Sequence, residues 1–174
     1  EFKGVPNNGA ISVNISTSNT DLNLVGNPYP SPLSISNFFD GNPAIQRTLY
    51  FWRKKNDAGG SGYATYTELG LVSNQPELTG LDLQNTINPG QCFFIKSNGQ
   101  TTLNFTNSMR SSSQNGTFLR SNTTEKHRIW LNLSQNETII SQTLIGYTSG
   151  ATLNFDNGLD GNYFNDSPIE LTSL

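Results

Sequence analysis

The stretch Leu24-Val25-Gly26-Asn27-Pro28-Tyr29-Pro30-Ser31-Pro32-Leu33 joins the end of an apolar strand to a turn that contains three prolines. The ring of each proline fixes φ at about −65°, and each proline restricts the preceding residue to extended geometry. Such a turn loses little further entropy when the chain folds. We expect a rigid corner, with the ring of Tyr29 packed inside it and the hydroxyl bonded to water or to a backbone group.

The composition favours β-structure on both sides of this corner. Asn, Ser and Thr supply 60 of the 174 residues and only 13 % are charged, so the residues that build helical surfaces are scarce. Roughly eight to ten short apolar runs are separated by turn residues, which is typical of a sandwich. The sequence therefore predicts an all-β fold, an antiparallel β-sandwich of the jelly-roll kind, as a single module over residues 1–174.

Local patterns place several elements. Residues 34–40 fit one short helical turn, with Ser34 or Ser36 as its N-cap and Gly41 as its stop. The pair Asn98-Gly99 lies between two β-rich runs and predicts a hairpin, and residues 134–137 predict a second one. Residues 151–155 fit a last strand.

Several phrases of the sequence occur together, in this order, in a known kind of protein module. They are Asn23-Leu24-Val25-Gly26-Asn27-Pro28-Tyr29-Pro30-Ser31-Pro32-Leu33, Leu49-Tyr50-Phe51-Trp52, Pro89-Gly90-Gln91-Cys92-Phe93-Phe94-Ile95-Lys96, Arg128-Ile129-Trp130-Leu131-Asn132-Leu133 and Leu144-Ile145-Gly146-Tyr147. The chain resembles a module of large secreted surface proteins of flavobacteria (Bacteroidota), found upstream of the C-terminal sorting domain of the type IX secretion system.

The resemblance implies a location outside the cell or on the bacterial cell surface, and a chain that is a fragment of a longer multidomain protein. It implies no catalytic residues. We therefore expect a non-catalytic module with a structural or adhesive role. The alternative is a carbohydrate-binding module that attaches to polysaccharide.

The net charge and two residue types that occur only once, His and Cys, restrict the classes of function that the chain can have. A net charge of −3 argues against a nucleic-acid partner, and no apolar run is long enough to insert into a membrane. The one histidine, His127, would have to serve any Ser-His-Asp or Cys-His arrangement, and Cys92 lies in an apolar run that predicts a buried thiol. We expect no enzyme, although a pair of carboxylates that converge in space stays open.

Two binding sites are candidates. A sugar ring packs its apolar face on an aromatic side chain while polar groups bind its hydroxyls. The candidate residues for such a site, which could equally contact a cell-surface protein, are Trp52, Tyr63, Tyr66, Trp130, Asn56 and Asp57. Trp52 precedes a polar loop, and Trp130 alternates with Ile129 and Leu131, so we expect Trp130 on the outer face of its strand.

Calcium is the one cofactor that the sequence suggests, without establishing it. Oxygen-bearing side chains recur in Asp156-Asn157-Gly158-Leu159-Asp160, as they do at the start of a calcium loop. The pattern departs from an EF-hand because Gly158 occupies the third ligand position and Ser167 the twelfth. A different kind of calcium site would use Asp156, Asp160 and Asp166; the alternative is an acidic turn.

Overall fold

The computed structural model describes residues 3–18, 22–53, 62–72, 85–112, 127–162, 169 and 171–172. Its strands are β1 (Ile11–Asn14), β2 (Leu22–Gly26), β3 (Leu33–Ser34), β4 (Leu49–Arg53), β5 (Gly62–Tyr66), β6 (Leu71–Val72), β7 (Thr86–Ile87), β8 (Cys92–Lys96), β9 (Thr102–Phe105), β10 (His127–Gln135) and β11 (Thr138–Tyr147). Helix α1 (Ile35–Asp40) and a 3₁₀ turn (Asn107–Met109) interrupt them. Within these described ranges no helix is long and apolar enough to cross a bilayer.

The strands confirm the expected fold class. Antiparallel sheets dominate, consistent with an all-β sandwich, and the one short α-helix lies where the sequence predicts it. The chain forms two compact units: Glu1–Gln46 with Gln84–Phe118, and Arg47–Leu83 with Leu119–Leu174. We call them unit 1 and unit 2. The single module over residues 1–174 stays a prediction.

Unit 1 contains three antiparallel strand pairs, β1 with β9, β2 with β8, and β3 with β7. The Asn98-Gly99 hairpin was therefore a wrong prediction, because β8 and β9 each pair with an earlier strand and not with one another. The turn between them is closed locally instead: the hydroxyl of Ser97 donates to the backbone oxygen of Gln100 (2.7 Å) and accepts from the N–H of Gly99 (3.1 Å).

The proline corner of unit 1 is held by the side chain of Asn27. Its amide donates to the backbone oxygens of Ser31 (2.9 Å) and Ile87 (3.1 Å), and its Oδ1 accepts from the N–H of Tyr29 (2.9 Å). Asn27 is buried, so these bonds satisfy backbone groups that water does not reach. The corner is thereby fixed against β7.

Tyr29 packs as the sequence predicts. Its ring is buried, its hydroxyl donates to the backbone oxygen of Gly9, and the guanidinium carbon of Arg110 lies 5.5 Å from the ring centroid. Burial raises the pKa of the Tyr29 hydroxyl, and the charge of Arg110 lowers it in part. The corner therefore combines apolar burial with one satisfied polar group.

Helix α1 begins where Ser34 caps it and carries the aromatic core of unit 1. The hydroxyl of Ser34 accepts from the N–H of Asn37 (3.3 Å), and Gly41 ends the helix. The Phe38 ring lies 5.5 Å from that of Phe93 and 5.6 Å from that of Phe105. Because both partner rings belong to strands, tertiary packing stabilises this helix, which is too short to be stable on its own.

Asn42, directly after this helix, is completely buried and forms four hydrogen bonds. Its amide donates to the backbone oxygens of Phe38 and Asn104 (2.9 Å each). Its Oδ1 accepts from the backbone N–H of Asn104 (2.8 Å) and from the side-chain amide of Gln100 (2.7 Å). One side chain thus connects the end of α1 to β9.

Unit 2 contains the antiparallel strands β4, β5 and β6 in that order, and the hairpin of β10 and β11. Asn136 (φ 49°) and Glu137 (φ 64°) form the two-residue turn of this hairpin, and two positive φ angles are characteristic of a type I′ turn. The predicted second hairpin is confirmed. The predicted strand over residues 151–155 is wrong: none of these residues pairs as a strand, residues 153–154 form a bend, and Leu153 is fully exposed.

We predict that Asn42→Ala destabilises the chain by about 3 kcal/mol, because a completely buried side chain loses four hydrogen bonds at once. Urea denaturation followed by circular dichroism measures the loss. Asn14→Ala, at an exposed position of β1, is the control and changes the stability by less than about 0.5 kcal/mol. Similar stabilities for the two variants would contradict the role given to Asn42.

Alkaline titration tests the burial of Tyr50 in unit 2. Burial raises the pKa of Tyr50 from 10.0 to about 12, and hydrogen bonds with Asn162 oppose this shift. The unfolded chain therefore ionises first, so stability falls as the pH rises from 10 to 12, by on the order of 2 kcal/mol from this group. We predict a smaller loss in Tyr50→Phe, with both proteins referenced to pH 7. Equal losses would contradict the buried hydroxyl.

Candidate functional site

One face of the β4–β5 pair in unit 2 carries the candidate site. Tyr50 pairs with Thr65 and Trp52 pairs with Tyr63 across the two strands. Because side chains alternate between the faces of a strand, these four residues share one face. Leu49, Phe51, Ala64 and Tyr66 share the other face, and all four are buried. Solvent exposure therefore differs from residue to residue only on the first face, that of Tyr50, Trp52, Tyr63 and Thr65.

The segment of residues 158–162 covers half of this face. A Cβ atom at Gly161 would lie 3.0 Å from Cγ2 of Thr65 and 3.2 Å from that of Thr67, so the backbone approaches the sheet closely there. Tyr50, beneath this segment, forms hydrogen bonds with Asn162 and is 2 % exposed. The other half of the face, with Trp52 and Tyr63, extends beyond the segment.

Polar contacts position the covering segment. The backbone N–H of Glu68 donates to the backbone oxygen of Gly158 (2.8 Å), and that of Arg47 donates to Oδ1 of Asn157 (2.8 Å). Arg47 and Glu68 also form an ion pair beside Gly158. Gly158 has φ 96°, a conformation that favours glycine. The position of the covering segment is thus set by a well-bonded turn.

Trp52 and Tyr63 form an exposed aromatic pair at the end of this sheet. Their ring centroids are 4.8 Å apart and the ring planes meet at 62°. Trp52 is 50 % exposed, whereas Tyr63 is half-buried. Within the described part of the chain, no hydrogen bond to the indole N–H of Trp52 is found. The pair thus offers an apolar ring surface and a donor, which is what a sugar ring or a protein side chain would contact.

Tyr66 and Trp130 lie away from this pair. Tyr66 is buried on the opposite face, because it is three residues from Tyr63 along a strand with a period of two. Trp130 packs inward: its indole N–H donates to the backbone oxygen of Leu71 (3.1 Å), and the guanidinium carbon of Arg128 lies 5.0 Å from the ring. The expectation that Trp130 lies on the outer face of its strand was wrong.

The outer face of the β10–β11 hairpin is apolar instead. Ile129 is 53 % exposed, Leu131 42 % and Tyr147 70 %, and Ile145 pairs with Ile129 on the same face. Arg128 and Trp130 determine which face of the hairpin packs inward, because their side-chain N–H groups donate to the backbone oxygens of Leu69 and Leu71. Sequence alternation identified two faces but not which one turns inward, because Trp and Leu are both apolar.

The acidic turn uses its carboxylates within the protein. Asp156 accepts from the N–H and the hydroxyl of Thr152, and Asp160 accepts from the N–H of Asp156 (2.7 Å). Asp166 lies outside the described residues. Across the described ranges, no group of three or more His, Cys, Asp or Glu side chains is arranged to hold a metal ion. The calcium site stays a prediction.

The remaining candidate residues are Asn56, Asp57, His127 and Cys92. Asn56 and Asp57 lie outside the described residues. His127 is exposed at the start of β10, opposite Tyr147. Cys92 is exposed, so the prediction of a buried thiol was wrong: Phe93 and Ile95 fill the inward positions of β8, and alternation turns Cys92 outward. Asn162, which bonds Tyr50, was missed because no local pattern reports a contact made across more than 100 residues.

Comparison with known proteins gives a family but no activity. No curated protein and no solved structure matches the chain significantly. One family model, described as a domain of unknown function (DUF8693), matches residues 1–174. Because this match covers the whole sequence, the chain belongs to the DUF8693 family.

Proposed function

We propose that this chain is a non-catalytic adhesive module of an exported bacterial surface protein, and that it adheres to carbohydrate through Trp52 and Tyr63. The single observation that carries the carbohydrate part is the exposed aromatic pair on a face that is otherwise covered. The proposed location outside the cell rests on the resemblance to flavobacterial surface modules.

Physical chemistry supports carbohydrate over a purely structural role for this face. Trp52 leaves half of its side chain in water, and burying that half against a ligand contributes on the order of 1 kcal/mol. Strand pairing between β4 and β5 fixes the backbone of both residues and their rings contact each other, so less entropy is lost when a ligand binds. An aromatic surface carried on paired strands suits a ligand that has apolar faces and many hydroxyl groups.

We predict that the wild-type chain binds members of a glycan array, and that Trp52→Ala weakens this binding by about tenfold or more. The array is probed with calcium and again with EDTA, which tests the predicted calcium site at the same time. Phe155→Ala is the matched control, because Phe155 is also 50 % exposed and also belongs to unit 2. It retains wild-type binding.

Two outcomes of the glycan array would contradict the proposal. Equal binding by the wild type and by a folded Trp52→Ala variant would contradict the role of the aromatic pair. Silence in both conditions would contradict carbohydrate adhesion itself. Circular dichroism establishes that each variant is folded.

A second candidate function is adhesion through protein contact, which the apolar hairpin face favours. Ile129, Leu131 and Ile145 carry no charge, so two copies of the chain meet there without repulsion between like charges, despite the net charge of −3. Contiguous apolar surface of this kind marks interaction sites. The partner in this proposal is a second copy of the chain.

We predict for this candidate that the wild type is a dimer in light scattering after size exclusion and that Leu131→Lys is a monomer. Leu153→Lys, at a fully exposed leucine of the same unit, remains a dimer. A wild type that is monomeric throughout the accessible concentration range would contradict the proposal.

A further inference from the structure

The sequence contains the pair Asn-Gly at four places, and the structure describes three of them: Asn8-Gly9, Asn98-Gly99 and Asn157-Gly158. The fourth, Asn115-Gly116, lies outside the described residues. In such a pair the backbone nitrogen of the glycine can attack the side-chain carbonyl carbon of the asparagine, because no glycine side chain shields that nitrogen. The contacts of each pair decide whether the folded chain permits this reaction.

The side chains of Asn8 and Asn157 are held by residues that are distant in sequence. Oδ1 of Asn157 accepts from the backbone N–H of Arg47 (2.8 Å), and Gly158, which carries the attacking nitrogen, is buried. Oδ1 of Asn8 accepts from the guanidinium of Arg110 (3.3 Å). Each amide has to leave a partner that is 110 or 102 residues away before it can react, which slows the reaction at both pairs.

The third pair lies in the turn between β8 and β9, where both Asn98 and Gly99 are exposed. Within the part of the chain that the structure describes, no hydrogen bond of the Asn98 side-chain amide is found. A Cβ atom added at Gly99 would meet no atom within 4 Å, so there is open space beside the attacking nitrogen. The N–H of Gly99 donates to Oγ of Ser97 (3.1 Å), so the reaction requires a rearrangement within this turn alone.

We propose that Asn98 is a self-modification site, at which the chain converts asparagine to isoaspartate without an enzyme. The nitrogen of Gly99 forms a bond to Cγ of Asn98, the bond from Cγ to the side-chain nitrogen breaks, and ammonia leaves with the proton of the Gly99 N–H. Water then opens the cyclic imide, which gives aspartate or, with an additional methylene in the main chain, isoaspartate. No atom is oxidised or reduced, and water is the only co-reactant.

The turn that carries this site is bonded to the segment that follows α1. The backbone N–H of Asn98 donates to the backbone oxygen of Ala44 (2.8 Å), and the N–H of Ala44 donates to Oε1 of Gln100 (3.2 Å). The side-chain amide of Gln100 in turn donates to Oδ1 of Asn42 (2.7 Å). An added methylene at residue 98 changes the spacing of the groups on either side of it. Conversion therefore weakens the connection to Asn42 and lowers the stability of the chain.

Incubation of the full chain in a mildly alkaline buffer tests the proposal, because base removes the proton from the attacking nitrogen. Peptide mass spectrometry measures the conversion at each described pair from the mass difference between an amide and a carboxyl group, and chromatography separates isoaspartate from aspartate. A parallel incubation in urea measures the same pairs in the unfolded chain. Asn98→Gln is the matched variant, because the longer side chain would have to form a larger ring, which closes more slowly.

We predict that Asn98 converts about tenfold faster than Asn8 and Asn157 in the folded chain, because their hydrogen bonds have to break first, whereas the rates in urea are similar. After incubation, the urea midpoint of the wild type falls and that of Asn98→Gln does not.

Equal rates at the described pairs of the folded chain, or faster conversion at Asn8 or Asn157, would overturn the assignment of the site. Conversion of Asn98 with an unchanged urea midpoint would overturn its effect on stability. If Asn98→Gln does not fold, the comparison of the three pairs within the wild type decides.

Discussion

Side-chain amides that satisfy buried backbone groups are the constraint on which unit 1 depends. Asn27 bonds one backbone oxygen and one N–H of the proline corner and a backbone oxygen of β7, and Asn42 connects the end of α1 to β9. Strand pairing does not reach these groups, and an unsatisfied buried polar group costs on the order of 1–3 kcal/mol. The high Asn content thus has a structural meaning at two positions, where an amide replaces missing secondary structure.

In unit 2, hydrogen bonds likewise position a loop segment, which lies on one face of the β4–β5 pair. Hydrogen bonds of Glu68 and Arg47 fix the turn at residues 156–160, and the following residues cover Tyr50 and Thr65. Among the described residues, this cover does not reach Trp52, which is 50 % exposed. Whether a ring is part of the core or of the surface is therefore decided by where a distant segment crosses the sheet. The proposed carbohydrate contact follows from that crossing and not from a motif.

The features that were predicted correctly depend on residues that are close together in the chain. Ser34 and Gly41 bound a helix because capping acts within one turn, and Asn136 with Glu137 close a hairpin between adjacent strands. The partners of β8 and β9 were not predictable, since the pairing depends on strands about 70 to 90 residues away. The inward face of β10 was misassigned because Trp130 finds its acceptor, the oxygen of Leu71, only in the folded chain. Trp52, a candidate from the sequence, is half-exposed beside Tyr63, whereas the contact of Asn162 with Tyr50 was found only from the structure.

The most direct test of the account is ¹⁹F NMR of the full chain labelled with fluorotryptophan. The two tryptophans, Trp52 and Trp130, give two resonances, which Trp52→Phe assigns. On addition of an oligosaccharide that binds in the glycan array, we predict that the Trp52 resonance shifts and the Trp130 resonance does not, because only Trp52 lies in the exposed aromatic pair. A titration that moves neither resonance, or that moves Trp130 alone, would contradict carbohydrate adhesion through this face.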